Sequence, residues 1–148
     1  MLYEHSLGGA VAVELALRRG PACGIVLEST FTSMADMARL AYPMIPVGWL
    51  LRERFDTLLK IGRLDLPIVF VHGTADKEVP PAMSESLYRA ARADKQMIMV
   101  AGVGHEDALP AGGQILARAT QHTLSEDAAA DGRRAGLGSA APRSPSST

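Results

Sequence analysis

The chain has 148 residues, is 47% hydrophobic with a mean hydropathy of +0.08, and carries 15 basic against 16 acidic residues for a formal net charge of -1. That is one domain at most, apolar enough to build a core, and the absence of a Lys/Arg cluster excludes a nucleic-acid-binding face. The single cysteine, Cys23, excludes an internal disulfide; no Cys/His pairs stand at zinc-ligand spacing, and no run of about 18 apolar residues spans a membrane. With no leader-like N-terminus, the expectation is a cytoplasmic protein without a membrane span.

In chain order, Leu7 to Arg19 is a nearly unbroken run of small apolar residues, followed by Gly20 and Pro21. Cations at the negative end, a glycine stop and a proline beyond predict a buried helix. Gly24 to Glu28 is a short β-branched apolar run and predicts a strand buried on both faces. From Phe31 to Arg63 the pattern is irregular, with Pro43, Pro46 and Gly48 breaking apolar helical pieces, and reads as a helical excursion over the sheet. Pro67 to Gly73 is the clearest strand. Pro80-Pro81 then opens a helix with Met83, Leu87 and Ala91 on one face. Met97 to Val100 predicts another core strand, and a loop from Ala101 to Pro110 leads to a last helix through Ile115, Leu116, Ala119 and Leu124. Alternating strands and helices of this length imply a parallel sheet with right-handed crossovers, the α/β class. From Ser125 to Thr148 the only large apolar residue is Leu137, so residues 1–124 are expected to form the domain and 125–148 a disordered tail.

Three loop residues carry chemistry. Ser6 stands between a short extended stretch and the small-residue helix, the context of a nucleophile elbow, where a tight turn presents the hydroxyl at the helix N-terminus. Gly8 and Gly9 would let neighbouring backbone approach the turn, and the N–H of Leu7 would supply half of an oxyanion hole. The plainer reading of Ser6 is a helix N-cap. Asp76 follows the strongest strand, where a carboxylate can orient a histidine; otherwise it organises a turn before Pro80, and Glu78 is the runner-up acid. His72, at the strand end, reads as a packing residue beneath that loop. His105, between Gly104 and Glu106, is the candidate general base. The chain order serine, acid, histidine, each after an apolar strand of one sheet, sets these three above their plainer readings.

Ser6-Leu7-Gly8-Gly9-Ala10-Val11-Ala12, Glu28-Ser29-Thr30-Phe31, Gly73-Thr74-Ala75-Asp76-Lys77-Glu78-Val79-Pro80 and Gly104-His105 together resemble the α/β-hydrolase superfamily, in its serine-aminopeptidase-like and dipeptidyl-aminopeptidase-like group. The resemblance covers roughly residues 1 to 124. It implies the C-terminal half of an α/β-hydrolase fold, catalytic roles for Ser6, Asp76 and His105, and an ester, thioester or amide substrate. Two departures stand out. The family's elbow carries a small residue, usually glycine, two before the serine, and here that residue is Glu4. The family fold also begins with several strands ahead of the elbow, of which only Met1-Leu2-Tyr3 could remain, so three full strands and a fragment are expected.

The leading expectation is therefore a serine hydrolase working through an acyl-enzyme on a small-molecule or peptide substrate. No metal or organic cofactor is required, because side chains and backbone donors supply the chemistry. Met34, Met37, Leu40 and Trp49 are expected to wall an apolar substrate pocket. The alternative is a catalytically impaired fragment or pseudo-hydrolase with a binding role or none, for which Glu4 and the short N-terminal side speak. An interaction protein using the Met/Pro/Trp-rich segment 34–51 is the third reading. An open sheet edge predicts self-association, and the resemblance places the second oxyanion donor on a loop ahead of the elbow that this sequence lacks, which predicts low activity of the chain by itself.

Overall fold

The computed structural model describes residues 1–19, 22–45 and 55–108. Within them the chain runs β1 (Leu2–His5), α1 (Leu7–Arg19), β2 (Ile25–Glu28), α2 (Met34–Ala41), α3 (Thr57–Ile61), β3 (Ile68–Gly73), α4 (Pro81–Ala90) and β4 (Lys95–Val100). The four strands form one parallel sheet in the order β1-β2-β3-β4. Register pairs Tyr3 with Val26, Val26 with Val69, and Val69 with Gln96. Strands that run the same way end on the same edge, so the segments after β1, β2, β3 and β4 meet along one rim. The expected last helix, the expected tail and Trp49 lie outside the described residues.

The sheet is apolar on both faces, as the continuous runs in β2 and β3 require. On one face Ile25, Leu27, Ile68 and Phe70 pack with Val13 of α1, Ile61 of α3 and Leu87 of α4. On the other, Val26, Val69, Val71 and Ile98 cluster with Ala108. Fully burying a side chain such as Phe70 or Leu27 contributes about 1.5–3 kcal/mol, so this two-sided stack is what holds the strand ends in place.

Local chemistry sets the helix boundaries. Ser33 caps α2 by accepting the Asp36 N–H at 3.0 Å, while its hydroxyl donates to Asp36 Oδ2 at 2.7 Å, a reciprocal cap. Pro81 starts α4, where its missing N–H is not needed. Glu14 of α1 accepts from Lys60 of α3 at 2.7 Å, pinning the two helices together across the layer.

Three differences from the sequence expectations are instructive. The described residues hold four strands rather than three, because Leu2–His5 is drawn into full parallel register with Ile25–Glu28. The last strand starts at Lys95, two residues early, where the ammonium donates to the carbonyls of Tyr88 and Ala91 at 2.8 and 2.6 Å and so closes the end of α4. Finally, α1 is not buried all round. Ala10, Ala12 and Val13 are buried, but Leu7, Val11 and Leu15, four residues apart on one stripe, are exposed, since the sheet covers a single side of the helix.

Candidate active site

Ser6 occupies the turn between β1 and α1 with φ 53°, a left-handed conformation uncommon for any residue but glycine. The turn is held from both sides. The Ser6 N–H donates to the Glu28 carbonyl at 2.8 Å, continuing the β1–β2 ladder, and the Ser6 carbonyl accepts from Gly9 N–H at 3.2 Å, beginning the helix. Leu7 is therefore the first residue of α1, and first-turn N–H groups of a helix have no partner within it.

Asp76 lies in the loop after β3 and is buried. Its Oδ1 accepts the N–H groups of Glu78 and Val79, each at 2.9 Å, and its Oδ2 accepts from His105 Nδ1 at 2.7 Å. Burial by itself would push this carboxyl up, but the bond from His105 and the two backbone N–H groups outweigh it and hold it below the usual carboxylate range. The runner-up acid, Glu78, has an exposed side chain and takes part through its backbone.

His105, also buried, follows β4 on a loop that Gly73 admits: a side chain on Gly73 would collide with the backbone carbonyl of Val103. The Ala75 N–H donates to that same carbonyl at 3.0 Å, and Gly102 N–H donates to Thr74 Oγ1 at 2.9 Å. Because Nδ1 faces a carboxylate, it carries the proton, which leaves Nε2 free to accept. Nε2 stands 3.2 Å from Ser6 Oγ. The structure thus brings Ser6, His105 and Asp76 side chains into one hydrogen-bonded chain across the sheet rim.

Two more histidines adjoin this chain. His72 is wholly buried, not merely packed: Nε2 donates to the Val79 carbonyl at 2.9 Å, with Asp76 Oδ2 at 3.2 Å, and Nδ1 lies 2.6 Å from Ser84 Oγ. Burial drives its pKa down against the opposing pull of the Val79 carbonyl and Asp76. A carbonyl can only accept, so the neutral ring has its proton on Nε2 and accepts the Ser84 hydroxyl on Nδ1. His5, directly before Ser6, has Nε2 at 3.0 Å from the His105 carbonyl and its ring centroid 4.6 Å from that of His105. Sequence reasoning passed over His5. Its position beside a candidate nucleophile was the available signal.

Glu4 and the glycines behave differently from expectation. Side chains, not backbone, approach Gly8 and Gly9: a Cβ on Gly8 would lie 2.5 Å from Glu4 Oε2, and one on Gly9 would collide with Thr30. The carboxylate of Glu4 therefore folds toward the first turn of α1, where a helix N-terminus favours negative charge. On the opposite face, the Tyr3 hydroxyl donates to the buried Glu28 carboxylate, and burial together with that bond pushes the phenol well above its usual range.

Of the expected pocket residues, Met34 and Met37 pack against the buried cluster of Ala10, Phe31 and Val79. Leu40 lines a cavity of about 430 Å³ between α2 and α4, together with Pro80, Met83, Asp36 and Arg39. None of Ser6, Asp76 and His105 lines it. Asp36 is held by Thr32, Ser33 and Arg39, which overcome its burial and keep it ionised below the usual range. Among the described residues, no group of three or more His, Cys, Asp or Glu could hold a metal ion, and no helix is long and apolar enough to cross a membrane.

Comparison with known proteins shows what the chain resembles. No family model matches the chain. It is 37% identical over 126 residues to "Uncharacterized protein Rv2307c" of Mycobacterium tuberculosis, a match covering 85% of this chain and 44% of that protein. It is 30% identical over 108 residues to "Alpha/beta hydrolase domain-containing protein WAV2" of Arabidopsis thaliana, covering 63% of this chain and 35% of the other. Among solved structures, the esterase domain of a Rhodothermus marinus protein superposes with a TM-score of 0.65 at 18% identity, over 83% of this chain and 60% of that one. The fold is that of the C-terminal half of an α/β hydrolase, and the chain is similar in sequence to an α/β-hydrolase domain-containing protein. It spans less than half the length of the curated relatives it matches.

Proposed function

We propose that this chain carries the catalytic triad of a serine hydrolase that cleaves an ester, thioester or amide bond through an acyl-enzyme. The observation that carries the reading is the unbroken chain from Ser6 Oγ through His105 Nε2 and Nδ1 to Asp76 Oδ2, at 3.2 and 2.7 Å. A separation of 3.2 Å suits a resting nucleophile and base, which tighten once substrate is bound. Ser6 attacks the carbonyl carbon while its proton passes to His105 Nε2. The imidazolium formed is stabilised by Asp76, whose carboxylate is held below its usual range by His105 and by the N–H groups of Glu78 and Val79. His105 then returns the proton to the leaving alcohol, thiol or amine. Water repeats the sequence on the acyl-enzyme. The Leu7 N–H, at the head of α1, is one donor to the oxyanion.

The test is labelling of the full chain with a fluorophosphonate. Ser6 is expected to be the labelled residue, with Ser6→Ala unlabelled and p-nitrophenyl ester turnover lost with it. Label on another residue, or none at any concentration, sinks the reading.

One observation favours a second reading. The Glu4 carboxylate lies against the first turn of α1, close to where negative charge would develop on an oxyanion. A chain that binds ester or peptide analogues but is never acylated would be a pseudo-hydrolase, and Glu4→Gly restoring acylation would identify the cause.

A further inference from the structure

We infer that His5 is the positioning residue for His105, the tie that delivers the base to the nucleophile; the inference rests on the triad reading above. The sheet order makes the need plain. Asp76 and the anchors of the His105 loop belong to β3 and β4, whereas Ser6 ends β1, and β2 lies between. Adjacent strands are about 4.8 Å apart, so the loop after β4 must reach across three gaps, roughly 14 Å of sheet, to meet Ser6.

The bonds from Ala75 to Val103 and from Gly102 to Thr74 fasten that loop on the acid's side. The bond of Asp76 to His105 Nδ1 does the same. They fix base to acid and leave the distance from base to nucleophile open. His5 supplies the missing constraint. It is the last residue of β1, so its backbone is held in register with Glu28, and the following N–H, of Ser6, is bonded to the Glu28 carbonyl. From this anchored position His5 Nε2 meets the backbone carbonyl of His105 itself at 3.0 Å. Since that carbonyl only accepts, His5 must present its proton on Nε2. The two rings then lie 4.6 Å apart at a tilt of 54°, an arrangement that also limits rotation of the His105 ring. The nucleophile's neighbour thus holds the base's backbone, and a shift of one moves the other.

This matters because a misplacement of about 1 Å in a reacting group costs on the order of 10²-fold in rate. The experiment compares His5→Leu, which keeps bulk and removes the donor, with His5→Gln, whose amide N–H reaches about as far as Nε2. Each is made in the full chain and read in two ways: the rate of Ser6 labelling by a fluorophosphonate, and the imidazole ¹⁵N–¹H NMR signals of His105. His5→Leu is expected to slow labelling by about 10²-fold and to broaden or shift the Nδ1–H signal, while His5→Gln recovers most of the rate and the signal. Wild-type labelling and an unchanged His105 spectrum in His5→Leu would overturn the inference. So would equal slowing by Leu and Gln, because the N–H would then be irrelevant. Should His5→Leu fail to fold, His5→Asn carries the test: its shorter amide falls short of the His105 carbonyl, so slow labelling supports the inference and wild-type labelling overturns it. If the wild-type chain is not labelled at all, the triad reading fails. The NMR comparison then judges the positioning alone, an unchanged His105 spectrum in His5→Leu counting against it.

Discussion

Ser6 and Ser29 end neighbouring strands one residue beyond the paired His5 and Glu28, and both sit in the left-handed region, with φ 53° and 45°. Their surroundings differ. After Ser6 a helix of 13 residues begins at once, and the hydroxyl lies 3.2 Å from His105 Nε2. After Ser29 the chain stays non-helical until Met34, and the hydroxyl is fully buried with no hydrogen-bond partner among the described residues. In the proposed reading, a strained turn at a strand end is not by itself enough for a nucleophile. The turn also opens directly onto a helix N-terminus and meets a base delivered from another strand.

The largest effect should come from cutting the comparison at its centre. Ser6→Ala is expected to lower kcat by about 10⁴ to 10⁶, whereas Ser29→Ala should change it by no more than about twofold, the scale of a substitution that touches no catalytic group. Steady-state kinetics on an ester substrate distinguishes the two, and a comparable loss from Ser29→Ala would mean that the second turn belongs to the machinery.

Next in size is the acid. Asp76→Asn should cost up to about 10⁴ in kcat, because an amide in place of the carboxylate favours the wrong His105 tautomer. Glu78→Gln, altering an exposed side chain whose backbone does the bonding, should stay within about twofold. The reverse ranking would reassign the acid.

Stability should respond to pH through the groups behind Asp76. His72 is held below its usual pKa, so the unfolded chain takes up a proton first as pH falls below about 6.5, and folding loses stability from there downward. Asp76 is likewise depressed. Its contribution is complete above about pH 4 and is lost as pH falls through its lower folded value. Melting curves across that range should show stability declining in two stages. A melting temperature that is level between about pH 7 and pH 5 would contradict the neutral, buried His72.

The smallest effect concerns Ser29 itself. An unsatisfied buried hydroxyl costs about 1–3 kcal/mol, so Ser29→Ala should leave the protein as stable or raise its melting temperature. A marked loss in chemical denaturation would show that the hydroxyl has a bonding role in solution.

Short apolar runs with a clear boundary were legible in the residues alone. Ile25–Glu28 and Ile68–Gly73 are strands because burial on both faces demands unbroken β-branched and aromatic residues, and Leu7–Arg19 is a helix because small residues run to a cationic end. The same is true of Ser6, Asp76 and His105 as polar residues placed just after strands. These are properties of neighbouring residues, and neighbouring residues suffice to state them. The sequence marked a strand end before Ser6, but only the tertiary structure decided that Leu2–His5 is a full strand, since its residues do not alternate and it gains its length from pairing with β2. It alone decided that His72 braces Asp76, that His5 grips the His105 carbonyl, and that Glu4 folds over Gly8. Each of these depends on where a side chain meets a partner brought to it by the packing of the sheet, and a hydrogen bond between residues 100 apart leaves no local pattern in the chain.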